Sequence, residues 1–154
     1  MVQLCGSPSP PLMALAILST ACVDSPATRA TAAVAALDAI GGYGGLQWGA
    51  PLPPRRGAIG PDGCTVLLNP GPFWGTAPST AKLCFCAAEF GSFSLVVTPQ
   101  EIREKIVPKV IWDRSKVVGD SQTELTWTGN RNRMFVDRAS GVVRVTNVQK
   151  CPTP

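Results

Sequence analysis

Six cysteines and no histidine constrain this chain more than any other feature of its sequence. The cysteines stand at 5, 22, 64, 84, 86 and 151. The absence of histidine removes Ser-His-Asp and Cys-His constellations, His general bases and His-containing zinc sites together. Carboxylates, lysines and thiols are left for catalysis, and the acids do not gather. Glu101 and Glu104 alternate with Arg103 and Lys105 on one predicted helix, while Asp113, Asp120 and Glu124 are scattered. The expectation is a protein that is not an enzyme, with no catalytic residues, no metal and no cofactor.

Cys84 and Cys86 fall on one face of a predicted strand over Lys82–Ala87. Residues two apart on a strand seldom bond each other, so each is expected to take one of Cys64 and Cys151, with the connectivity open. A site with four cysteine ligands would need two closely spaced pairs, and a redox pair would stand as Cys-x-x-Cys at a helix start; neither pattern occurs. Two bridges would each add about 3 kcal/mol, useful to a core of only ~90 residues.

Disulfides require an oxidising compartment, and the N-terminus offers an address. Residues 12–21 are ten uncharged, mostly apolar positions that end in Ser19-Thr20-Ala21 before Cys22, like the apolar core and cleavage end of a secretory signal. A cysteine placed there resembles the acylated cysteine of bacterial lipoproteins, so Cys22 is the lipidation candidate. Leu18 sits one position upstream of the usual order, and Met1 to Pro11 carries no Lys or Arg. Losing Cys5 with the leader and acylating Cys22 would leave an even set of four. The extracytoplasmic reading covers periplasm, outer membrane or secretion; the alternative is a virion or host cytoplasm.

Three regions follow: a signal-peptide-like segment over 1–21, an Ala-rich helix and Gly/Pro-rich linker over 22–62, and a β-rich domain over 63–154. The helix spans Ala27 to Ile40, with Val34, Leu37 and Ile40 three apart, and Gly41 to Gly45 stops it. Residues 49–63 read as an irregular linker with polyproline II character, in which Pro51, Pro54, Arg55 and Arg56 have the spacing of an adaptor-docking motif. Gly41 to Gly45 is no phosphate loop, because no Gly-Lys-Ser/Thr follows it.

From Cys64 onward, short β-branched and aromatic runs alternate with turn residues. Strands are expected at Thr65–Leu68, Lys82–Ala87 and Ser92–Val97, the last two separated by a turn around Gly91. Thr98-Pro99-Gln100-Glu101 is a capping box, opening a helix that carries Ile102 and Ile106 inward and stops before Pro108. The C-terminal third reads as a three-strand meander, Thr123–Thr128, Asn132–Val136 and Val142–Val148, with a type I turn and Gly bulge at Asp137 to Gly141. The expected fold is therefore α+β and β-rich: a small antiparallel sheet with one short helix, behind a helical and flexible N-terminal arm.

The net charge of +4 lies wholly in residues 101–154, which hold ten Lys and Arg against six Asp and Glu. Arg131, Arg133, Arg138 and Arg144 crowd the meander, with Trp127 and Phe135 interleaved. These arginines are the basic-surface candidates: solvated strand faces in the plain reading, a nucleic-acid or anionic-glycan surface in the bolder one. The functional expectation is an exported envelope protein, anchored to the membrane through lipid at Cys22, that binds or assembles with a partner protein. The alternative is a viral or phage structural or accessory protein that binds nucleic acid through the basic meander.

Overall fold

A computed structural model of the chain describes residues 36–56, 58–110, 117–120 and 123–152, with backbone alone for 55 and 117–120. The signal-like segment, Cys5, Cys22, most of the Ala-rich helix and Trp112 lie outside the described residues. The protein is β-rich with one short helix. Its strands are β1 (Gly42–Tyr43), β2 (Leu46–Gln47), β3 (Cys64–Leu67), β4 (Thr80–Cys86), β5 (Glu89–Val96), β6 (Val117–Asp120), β7 (Glu124–Thr128), β8 (Asn132–Asp137) and β9 (Val142–Asn147).

The meander does not stand alone. One antiparallel sheet runs β3-β4-β5-β9-β8-β7-β6, so β9 leaves the meander to pair with β5 and joins two hairpin systems into seven strands. Alternation along each strand sets the two faces. Phe93 and Leu95 of β5, Val143 and Val145 of β9, Met134 and Val136 of β8, and Leu125 and Trp127 of β7 are buried on one side. A sheet with one apolar face must be covered on that face, and two segments do so.

The first cover is the helix α1, built from Pro99–Glu101, a π-helical stretch Ile102–Ile106, and Val107–Val110. Thr98 caps it as expected: its hydroxyl accepts from the Glu101 amide, and the Glu101 carboxylate accepts from the Thr98 amide. Hydrogen bonds from the Ala77 amide, Lys105 and Thr98 hold the Glu101 carboxyl at a pKa of about 2. The helix does not stop before Pro108. The π segment shifts the pairing, with the Val107 amide donating to the Ile102 carbonyl, and the helix continues to Val110. Ile102, Ile106 and Val110 are all buried.

The second cover comes from the stretch read as arm and linker. Residues 36–38 are helical, and Leu37 and Ile40 are buried. β1 and β2 then form a hairpin whose two-residue turn, Gly44-Gly45, has both residues at positive φ. This lays Tyr43 against Phe93 with ring centroids 4.8 Å apart, and Trp48 against Phe90 at 4.9 Å and Phe93 at 5.7 Å. Phe73 meets Phe93 edge-on at 5.4 Å, so Phe93 is the hub of an aromatic layer. Residues Pro54–Arg56 form a 3-10 turn rather than a polyproline segment, and the Arg56 guanidinium donates to the Gly44 carbonyl. No described helix is long and apolar enough to cross a membrane.

The β4–β5 turn also differs from expectation. It sits at Ala87-Ala88, both at positive φ (51° and 65°), and Gly91 lies inside β5. Cys84 faces Ser92 while Phe85 faces Phe90, so Gly91 is the extra residue of a β-bulge. The Asp137 to Gly141 hairpin follows its expected form: Asp137 accepts from the Ala139 and Ser140 amides, and Gly141 has φ of 77°. The Ser140 hydroxyl, then the Ser140 and Ala139 amides, lower the Asp137 pKa. A left-handed conformation costs an alanine ~1–2 kcal/mol, so Ala88→Gly should raise stability by about 1 kcal/mol, read as a higher midpoint in urea with an unchanged slope.

Candidate functional site

The second face of the sheet has no covering layer among the described residues. Its composition follows from strand register, because residues directly opposite one another share a face. One row crosses the sheet as Val66, Lys82, Ser94, Arg144, Phe135 and Thr126. The next is Cys64, Cys84, Ser92, Thr146, Arg133 and Thr128. With strands ~4.8 Å apart, each row is roughly 24 Å wide. The face is thus hydroxyl-rich at its centre, basic towards β8 and β9, and apolar at the β3 edge, where Val66 is 54% and Leu68 is 88% exposed.

The four basic-surface candidates divide. Arg133 and Arg144 come together, as cross-strand diagonals whose direct partners are Thr146 and Phe135. With Thr126 and Cys151 they line a shallow hollow of about 360 Å³. Diagonal positions are ~7–8 Å apart at the backbone; Arg144 is exposed there, whereas Arg133 is half-buried with its Nε shielded from solvent. Arg131 lies in the β7–β8 turn and borders a different hollow of about 570 Å³ beside the Gly41–Trp48 hairpin. Arg138 lies in the β8–β9 turn at the far end of β8, where its amide donates to the Thr123 carbonyl at 2.7 Å. Trp127, read with the basic cluster, belongs to the core. Lys82 is engaged by Asp62, whose pKa is lowered by that hydrogen bond first and by the Cys64 amide second.

The cysteines pair as Cys64 with Cys84 and Cys86 with Cys151. Cys64 and Cys84 stand directly opposite on β3 and β4, so the first bridge staples the edge strand to its neighbour. The second brings the chain beyond β9 back to β4 and forms one wall of the hollow. All four sulfurs are consumed, which leaves none of them as a thiolate ligand or nucleophile. Sequence reading missed Gly91 as a partner of this bridge: a Cβ there would stand 2.4 Å from the Cys151 sulfur. It also missed the β1–β2 hairpin, although Gly44-Gly45 between Tyr43 and Leu46 has the two-residue form of a hairpin turn.

The bridges close loops of different size, with sequence separations of 20 and 65. On the chain-entropy account they add about 3 and 4 kcal/mol respectively. Replacing Cys86 and Cys151 by serine should therefore lower the urea midpoint more than replacing Cys64 and Cys84. An equal or reversed order would show that strand-edge fraying, not loop closure, dominates. No protein family, characterised protein or solved structure matches this chain.

Proposed function

We propose that the protein is an exported, non-catalytic binding or assembly module of a cell envelope that meets a partner protein on the open face of its sheet. Acylation of Cys22, once the leader is removed, would hold it at the membrane. The observation that supports this reading is the bridged sheet: two disulfides tie the edge strand and the chain beyond β9 to β4, and such bonds persist in oxidising compartments. The exposed Val66 and Leu68 at one side of the open face add apolar surface of the kind that protein contacts bury.

Thiol titration of native-host protein tests the address. The expected result is no reactive thiol in the folded chain and four after reduction, from Cys64, Cys84, Cys86 and Cys151. Four free thiols in folded protein, or an intact mass that begins at unprocessed Met1, would sink the export reading.

A second reading, a viral or phage protein that binds nucleic acid through the basic meander, draws on Arg133, Phe135 and Arg144 lining one hollow. Binding to single-stranded oligonucleotide should then fall steeply with salt, and the double variant Arg133→Gln/Arg144→Gln should reduce the slope by ~1.4, at ~0.7 per lost phosphate contact. An unchanged slope rules this reading out.

A further inference from the structure

We infer that the hollow at Arg133, Phe135 and Arg144 is the recognition point for an acidic protein segment, which rests on the reading of the open face as a protein-binding surface. Register places Arg133 and Arg144 on one diagonal of a four-residue square, with Phe135 and Thr146 on the other. A carboxylate seated at the hollow meets the exposed Arg144 guanidinium, with the half-buried Arg133 adding positive charge behind it and Thr126 and Thr146 supplying hydroxyls beside it. Phe135 gives the segment's aliphatic carbons an apolar seat. Arg144 is exposed and has no hydrogen bond or ion pair among the described residues, so its charge is available to a ligand.

The acids of the same face do not oppose this. Asp137, next along β8, is turned into its own hairpin by the Ser140 hydroxyl and two amides. Glu124 lies opposite Asp137, one row away from Phe135 and Thr126. Asp62 is paired with Lys82, two strands away from Arg144 on the same face.

Three features favour a protein acid over a nucleic acid. Nucleic-acid sheets stack successive bases on several aromatic side chains, whereas Phe135 is the one aromatic residue among the described residues of this face. Among the described residues, the arginines of this face are a single diagonal pair, with Lys82 engaged by Asp62, and not a stripe that tracks a backbone. The same face carries Val96 beside Val142, with Val66 and Leu68 beyond, which suit the apolar side chains of a polypeptide and not a phosphodiester chain.

Fluorescence anisotropy with labelled decaglutamate tests the inference on the full-length, oxidised protein, with decaglutamine, a ten-residue oligothymidylate and a heparin oligosaccharide as companion probes. Decaglutamate should bind, decaglutamine should not, and Arg144→Gln should weaken binding about fivefold. Arg103→Gln, which removes the same charge from α1 on the opposite side of the sheet, should leave it unchanged. Both sites are exposed, so unchanged circular dichroism is expected for each variant. Equal loss in the two variants would reduce the effect to net charge and overturn the assignment. Tighter binding of the oligothymidylate or heparin than of decaglutamate would overturn it in favour of those polymers. No binding of any anionic probe would overturn it while leaving the export reading to stand or fall on the thiol titration.

Discussion

The fold depends on how residues 37–40 are tied to the turn between β7 and β8. The Asp38 carboxylate accepts from three successive amides, those of Asn130, Arg131 and Asn132, at 2.8, 2.9 and 3.1 Å. In return the fully buried Asn132 side chain donates to the Leu37 and Ile40 carbonyls, and its own oxygen receives the Asn147 amide. Hydrogen bonds to a charged group contribute ~1.5–3 kcal/mol, and an orphaned buried amide costs about as much. This knot fixes where the β1–β2 hairpin lands. If it failed, Tyr43 and Trp48 would leave Phe90 and Phe93, and the apolar face under those rings would meet water.

That one-sidedness organises the whole molecule. Among the described residues, the covering elements lie on one side: α1, the hairpin and the Phe73 turn all bear on the same face. The opposite side carries hydroxyls, the Arg133–Arg144 pair, Phe135, exposed valines towards β3 and the two disulfides. The bridges on that side stabilise a sheet whose edge strand β3 is only four residues long and, among the described residues, has a neighbour on one side alone. A strand that short forms few ladder hydrogen bonds, and the covalent tie at Cys64 holds it in register.

The elements that were legible in the sequence are those encoded locally. Ser92–Val97 alternates cleanly, Thr98 to Glu101 spells its own cap, and Asp137 to Gly141 has a turn's chemistry. The seven-strand order was not legible, because the pairing of β5 with β9 joins residues about fifty positions apart and nothing local announces it. Ala87-Ala88 carries no turn signature, and Gly91 carries one in sequence although its role is close approach to sulfur rather than reversal. Residues 41–56 looked like a spacer because glycine and proline dominate them, yet Tyr43, Leu46 and Trp48 between those residues carry the aromatic lid. For the arginines, the missing signal was the register that sets β8 against β9. Arg133 and Arg144 occupy strand positions that alternate with buried residues, whereas Arg131 and Arg138 fall in turns at opposite ends of β8.

The two bridges also determine how the molecule would bear tension. Between residue 36 and residue 152 the shortest covalent route runs to Cys64, across to Cys84, along two peptide links to Cys86, and across to Cys151. A pull applied along that route never loads β5, β7, β8 or β9, and roughly 220 Å of chain stays locked behind the second bridge. Only the stretch ahead of Cys64 can extend under force. The aromatic lid would therefore yield first, while the face bearing Arg133 and Arg144 kept its shape.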